Sequence, residues 1–293
     1  MEHQEQTRQR LYDLVVMGAS AGGIEALSLF VATLPESFSA PIVIAQHIDP
    51  NVTSHLDQIL ARRARLPVRA ATADNPVHLE DGVIYVVPAN SDVEITDDVV
   101  HLVPGAGQRA MPSIDRLLTS AAHAYGERVI AVILTGSGSD GAVGAREIKA
   151  AGGAVLIENP ATASYPSMPA SLAPTTVDLV VDLARIGPLI VDLISGAQIL
   201  TGPIVSDILH DLLEQVRQHT GIDFSQYKSP TILRRLHRRM AATGAETLLD
   251  YRRILNERPE EYQRLVASFL INVTEFSATS PSSILSARTS SQT

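Results

Sequence analysis

The sequence predicts an α/β fold: a doubly wound, mainly parallel sheet with an antiparallel hairpin, followed by a small all-α domain. Three observations carry that prediction. Short, nearly unbroken apolar runs such as Val129-Ile130-Ala131-Val132-Ile133-Leu134 alternate with helical stretches up to about residue 182. That is the pattern of strands covered on both faces by crossover helices. Several of these runs end in glycine or small polar residues that lead into a helix, the join at which such sheets build their sites. From about Ser195 the strand-like runs stop, and apolar residues recur only at helical spacing, as in Ile208, Leu209, Leu212, Leu213 and Val216.

Taken in order, the candidate strands are Leu14–Met17, Pro41–Ala45, Val68–Ala70, Val83–Val87, Val99–Val103, Val129–Leu134, Ala154–Ile157 and Val177–Val181. The candidate helices between them are Gly23–Leu34, Asn51–Ala64, Ser113–Tyr125, Ala142–Ala151 and Ser167–Ala173. Ile84–Val87 and Glu94–Leu102, joined by the turn-like Pro88-Ala89-Asn90-Ser91, read as an antiparallel excursion. Ser195 to Pro203 reads as a linker. Beyond it come helices over Ile204–Thr220, from Ser229-Pro230 onward (proline suits a first helical turn), near Thr247–Leu255, and over Pro259–Leu270. The expected organisation is a polar segment 1–11, an α/β domain 12–193, a linker 194–203, a helical domain 204–276 and a disordered serine-rich tail 277–293.

Composition narrows the function classes. The chain has 293 residues, 45% of them hydrophobic, enough for a sizeable core. It has no cysteine, which excludes disulfides, thiol catalysis and zinc-thiolate sites together. No apolar stretch approaches the ~20 residues that span a bilayer, and the polar Met1–Arg10 is no secretory signal. A soluble, cytoplasmic protein is expected. Residues 1–195 carry a net charge of −10 and residues 196–293 one of +1, for −9 in all. With that balance and no aromatic interleaving of basic residues, nucleic acid is a poor partner.

The most informative local feature is Gly18-Ala19-Ser20-Ala21-Gly22-Gly23, placed between a strand and a helix. G-x-S-x-G on such a turn lifts a serine hydroxyl out of the backbone as a nucleophile. The same glycines would also suit a phosphate-binding or purely structural turn. Two other strand ends supply a base and an acid: His47 after Pro41–Gln46, and Asp140 in Thr135-Gly136-Ser137-Gly138-Ser139-Asp140-Gly141-Ala142. Asp140 reads equally as the N-cap of a helix starting near Ala142. A dinucleotide site would need an acidic residue ending the second strand; that strand ends in Gln46-His47 instead. In the helical part, Lys228, Arg234, Arg235, Arg238 and Arg239 occur with no acid between Phe224 and Ala245. Their i,i+4 spacing predicts one basic surface, either a solvated face or a dock for an acidic partner.

Gly18–Gly23, Gln46-His47, Ile84-Tyr85-Val86-Val87-Pro88, Pro112-Ser113-Ile114-Asp115 and Thr135–Ala142 together resemble the catalytic domain of the bacterial chemotaxis protein-glutamate methylesterase (CheB type), over about Tyr12 to Leu193. The resemblance implies hydrolysis of glutamate γ-methyl esters on chemoreceptors, often with deamidation of glutamines, by a serine, histidine and aspartate that fall on Ser20, His47 and Asp140. Ser137 departs from the family, which usually has methionine there. The family's usual receiver domain is not expected ahead of the first strand.

Gly221–Lys228, Leu233–Met240 and Ile271-Asn272-Val273-Thr274-Glu275-Phe276 resemble the N-terminal helical domain of the chemotaxis receptor methyltransferase (CheR type), over about Asp207 to Phe276. That resemblance implies receptor docking by Arg234, Arg235, Arg238 and Arg239. After Phe276 the match stops before the S-adenosylmethionine-binding domain, so no methyl transfer is expected. The expected reaction is a two-step acyl transfer through Ser20, with oxyanion donors at the Ala21 and Ser137 amides and no metal or organic cofactor. The expected partner is the methylated cytoplasmic helices of a chemoreceptor, without membrane insertion. A non-catalytic receptor-binding scaffold is the alternative.

Overall fold

The computed structural model describes residues 10–49, 54–72, 76–104, 111–195, 203–224 and 229–270. The expected polar N-terminal segment, the motif Ile271–Phe276 and the serine-rich tail lie wholly or almost wholly outside these residues.

Among the described residues, ten strands and ten α-helices follow in chain order: β1 (Leu14–Ala19), α1 (Gly23–Ala32), β2 (Ile42–Gln46), α2 (Leu56–Ala61), β3 (Val68–Ala70), β4 (Val77–His78), β5 (Ile84–Val86), β6 (Ser91–Thr96), β7 (Val99–Pro104) and α3 (Ile114–Tyr125). Next come β8 (Val129–Ile133), α4 (Ala142–Ala150), β9 (Ala154–Glu158), α5 (Ser167–Ala170), β10 (Leu179–Val181), α6 (Leu183–Ser195), α7 (Pro203–Thr220), α8 (Ser229–Thr243), α9 (Leu248–Glu257) and α10 (Glu260–Leu270).

Seven strands form one sheet in the order β10-β9-β8-β1-β2-β5-β3, and every pairing in it is parallel. The central strands β1, β2, β8 and β9 are buried along their whole length. That explains their continuous apolar sequence: both faces are covered, so no alternation is needed. One face packs on α1, α2 and α6 through Leu27, Phe30, Leu60, Ile186 and Ile190. The other packs on α3 and α4 through Leu117, Leu118, Ala121, Ala145 and Ile148.

The antiparallel excursion differs from the expectation. Ile84–Val86 belongs to the parallel sheet, between β2 and β3. The hairpin lies within the stretch read as one strand: β6 pairs with β7 around Asp97 and Asp98, both at positive φ, with β4 added at the edge. Asp-Asp can supply the left-handed pair that a two-residue hairpin turn demands, because a short polar side chain tolerates that conformation. Helix α6 is an element beyond the expected ones, and it runs through Pro188, a residue that argues against a helix in sequence. It reaches Ser195 and α7 begins at Pro203, so the expected linker overlaps both helix ends.

Helices α7–α10 enclose a separate core of Leu212, Val216, Phe224, Leu236, Tyr251, Leu265 and Phe269. Helix α8 is the bridge, because its Leu233 and Ala241 also pack against the core that holds α1 and α6.

Here the expected basic surface is corrected. Arg234 and Arg238 are buried against the α/β part. Arg234 pairs with Glu127, to which Thr231 Oγ1 also donates at 3.0 Å. Arg238 donates to the carbonyls of Gly152 and Gly153, at 2.8 Å each, and lies 3.4 Å from Asp178. Arg235 donates to the Ser268 and Phe269 carbonyls at the end of α10, and Arg239 pairs two-pronged with Glu261 at 2.8 Å. The i,i+4 spacing did gather the arginines, but acids and backbone carbonyls distant in sequence meet them. Arg234, Arg235 and Arg238 are buried and Arg239 is half-buried, so the four do not form an open docking face. Lys228 lies outside the described residues.

Candidate active site

The register of the central strands brings the candidate residues together. Ala19 lies beside Gln46 across the β1–β2 pair, so Ser20 and His47 leave adjacent strand ends on the same edge of the sheet. Strand β8 flanks β1 on its other side. The chain therefore runs outward from β1 in one direction and returns on the other, and the site lies at that switch point, beyond the carboxyl ends of the strands. The loops are pinned by backbone hydrogen bonds. Ser20 N donates to Thr135 O at 3.0 Å and His47 N donates to Ala19 O at 3.0 Å.

Ser20 ends the strand because Gly22 takes φ 73° and starts α1 as its N-cap. A side chain there would be strained, which is why the turn needs glycine. His47 Nδ1 lies 3.2 Å from Ser20 Oγ, and its Nε2 lies 2.8 Å from Asp140 Oδ2. A carboxylate only accepts, so the Nε2 proton faces Asp140 and the Nδ1 lone pair faces the serine hydroxyl. The His47 side chain is 10% exposed and that of Asp140 23% exposed, so this chain of contacts is mostly shielded from water.

Asp140 does not cap the helix that follows it. Its Oδ2 accepts the Ile114 amide at 2.8 Å and its Oδ1 the Asp115 amide at 2.9 Å, both in the first turn of α3. Asp115 Oδ1 in turn accepts the amides of Gly141 and Gly144, at 2.9 and 2.8 Å, at the start of α4. The two aspartates have exchanged helices. Burial alone would push the Asp140 carboxyl up, but the hydrogen bonds from His47 and the two α3 amides outweigh it and hold the group below its ordinary value. Asp115 moves the other way: burial raises it, and neighbouring Asp140 adds to the rise despite the amides it accepts. Sequence spacing reveals neither exchange, because each link joins residues about 25 positions apart.

The third wall is the loop after β8. Thr135 N donates to the buried Glu158 carboxylate at 2.8 Å, and Thr135 Oγ1 donates to Ala21 O at 3.2 Å and accepts from Tyr165 N at 2.8 Å. Burial raises Glu158, and the Thr135 amide only partly offsets it. Gly136 is packed so closely that a methyl group on it would lie 2.7 Å from Ser20 Cβ. Its N–H is engaged by Tyr165 O at 2.9 Å. The amides of Ala21 and Ser137, in contrast, have no acceptor among the described residues. Thr135 belongs to the motif Thr135–Ala142, whereas Glu158 and Tyr165 were not singled out from sequence; Glu158 ends β9, a position that could have flagged it, and Tyr165 lies in the loop beyond, where no sequence signal marks it. Among the described residues no cluster of three or more His, Asp or Glu is arranged to hold a metal ion.

Residues 15–190 match the family model of the CheB methylesterase. The chain belongs to the CheB methylesterase family. Residues 208–270 match the model of the CheR methyltransferase all-alpha domain. A Leptospira interrogans protein provisionally named protein-glutamate methylesterase/protein-glutamine glutaminase is 37% identical over 186 residues, covering 62% of this chain and 95% of its own length. The Moorella thermoacetica protein-glutamate methylesterase/protein-glutamine glutaminase is 38% identical over 192 residues, but the match spans only 45% of its length. Among solved structures, the catalytic domain of Thermotoga maritima CheB methylesterase superposes with a TM-score of 0.57 at 31% identity, covering 62% of this chain and 99% of that one. The parallel sheet with a small antiparallel sheet beside it is thus the fold of the CheB catalytic domain.

Proposed function

We propose that this chain hydrolyses γ-methyl esters of glutamate on chemoreceptors, with Ser20 as nucleophile, His47 as base and Asp140 as its orienting acid. The observation that carries this reading is the bridge His47 makes between Ser20 Oγ and Asp140. Ser20 Oγ attacks the γ-carbonyl carbon while His47 Nδ1 takes the hydroxyl proton. Asp140 fixes the tautomer that leaves Nδ1 free and stabilises the imidazolium that forms. The Ala21 and Ser137 amides receive the negative charge on the former carbonyl oxygen. When the tetrahedral intermediate collapses, His47 returns the proton to the departing methoxide and methanol leaves. A water then attacks the acyl-enzyme by the same steps in reverse and restores the glutamate carboxylate.

The partner in this reading is a methylated receptor segment. Exposed Ile24 and Tyr165 flank the nucleophile turn, and exposed Val143 follows Asp140 on α4, giving the site an apolar rim for a helical substrate. A glutamine side chain would pass through the same acyl-enzyme with ammonia as leaving group, in keeping with the second activity in the relatives' names. No helix among the described residues is long and apolar enough to cross a membrane.

Methanol release from a methylated receptor fragment tests the reading. The full chain should release methanol and Ser20→Ala should not. Equal release from Ser20→Ala would remove Ser20 from the reaction, and no release from the full chain would favour a receptor-binding scaffold.

A further inference from the structure

We propose that Gln46 and Ser167 are positioning residues of the oxyanion site, Gln46 aiming the Ala21 amide and Ser167 the Ser137 amide. This rests on the reading in which the Ala21 and Ser137 N–H groups receive the oxyanion.

A trans peptide is planar, so its N–H points opposite to its own carbonyl oxygen. Whatever grips that oxygen therefore aims the N–H. The Ser20–Ala21 and Gly136–Ser137 peptides are both trans. Ser20 O accepts two hydrogen bonds, from Gln46 Nε2 at 2.7 Å and from Gly23 N at 2.9 Å. Gly136 O also accepts two, from Ser167 Oγ at 3.1 Å and from Met168 N at 3.0 Å. Both peptides are held from behind, and the amide on the far side of each is left without an acceptor among the described residues. Such donors, fixed in advance and unused in the resting protein, are what a developing oxyanion needs.

Gln46 does more than hold one carbonyl. Its Nε2 also donates to His47 O at 2.9 Å, so a single buried amide ties the nucleophile turn to the base. Two carbonyls face the nitrogen, which settles the orientation of the amide group. The arrangement has a cost, because Gln46 Oε1 is buried without a hydrogen-bond partner among the described residues. An unpaired buried acceptor costs stability, and a methionine of similar length would fill the same volume without that cost. Space is also reserved for this oxygen: a Cβ on Gly23 would lie 2.0 Å from it. The residue therefore serves through its donor, not through packing.

The test is the rate at which an alkyl fluorophosphonate labels the full chain. Ser20 Oγ bonds to phosphorus, fluoride leaves, His47 takes the hydroxyl proton, and the phosphonyl oxygen draws on the same donors as the ester oxyanion. Gln46→Met should label to the same final stoichiometry as the parent, but about 10- to 100-fold more slowly. The midpoint of its pH–rate profile should be unchanged, because the contact of the His47 ring with Asp140 does not run through Gln46. Ser167→Ala should slow labelling by roughly three- to tenfold, since the Met168 amide still holds Gly136 O.

A Gln46→Met rate within about twofold of the parent would overturn the proposal. So would a shifted pH midpoint, which places the effect in His47, or a lower stoichiometry at the parental rate, which means partial misfolding. Should Gln46→Met not fold, Ser167→Ala decides, and a parental rate there counts against the aiming. A parent chain that does not label at all would instead sink the Ser20 reading itself.

Discussion

Asp140 holds the imidazole while its own oxygens are bound by the first turn of α3, so one side chain serves both the chemistry and a helix end. Asp140→Asn would keep most of that geometry but present an amide that can donate to Nε2, favouring the wrong tautomer. Methanol release should fall by about 10⁴-fold, and a loss below about tenfold would show that the carboxylate does not orient the base. Because Asp140 lies below its ordinary value, the stability it contributes is present above its unfolded pKa and lost as pH falls through the lowered folded one. Glu158 has the opposite sign. Its folded pKa is raised by burial, so its charged form costs stability once pH rises past the unfolded value, in full above the folded value. Glu158→Gln keeps an acceptor for the Thr135 amide and removes that cost. Its melting temperature should exceed the parent's at pH 8 and converge with it towards pH 4; a gain that is the same at both would put the cause elsewhere.

At the scale of elements, α3 and α4 are locked by the exchange of aspartates, and α3 carries the further cap Ser113, whose Oγ accepts the Arg116 amide at 3.3 Å. Removing a cap of this kind costs about 1 kcal/mol. Ser113→Ala should lose that amount in urea unfolding. Its methanol release should change by less than about threefold, because the Ile114 and Asp115 amides still anchor Asp140. A larger loss of turnover would mean that the start of α3 must be rigid for catalysis.

The whole molecule is joined by a charged seam. Glu127 and Asp178, from the acidic α/β part, meet Arg234 and Arg238 of α8, while Leu233 and Ala241 close the apolar contact beside them. Burial lowers Arg238, but Tyr12 and Asp178 outweigh it and keep the guanidinium firmly charged. Removing one member of such a buried set costs about 3–5 kcal/mol, since the partners are left unpaired. Arg238→Met should therefore split a single thermal transition into two, the helical part melting first. Faster amide exchange in α8, with the α/β sheet still protected, would locate the damage; one unaltered transition would show that the apolar contact alone holds the parts together.

Much of this protein was legible in its sequence. Doubly covered strands must be apolar throughout, so Leu14–Met17 and Val129–Leu134 announced themselves, and Gly22 marked the turn that ends β1 at Ser20. Residues just past the carboxyl ends of such strands converge, and that pattern alone puts Ser20, His47 and Asp140 on one edge. The tertiary structure decided what depends on partners far apart in the chain. Helix periodicity gathered Arg234, Arg235, Arg238 and Arg239, but only folding brought Glu127, Asp178 and Glu261 to them and turned an apparent docking face into a buried seam. The exchange of Asp115 and Asp140 between helices, and the grip of Gln46 on the Ser20 carbonyl, are likewise contacts between separate elements. Local sequence fixes which way a backbone turns; what a buried polar group meets is set by the whole chain, because its partner has only to be near in space.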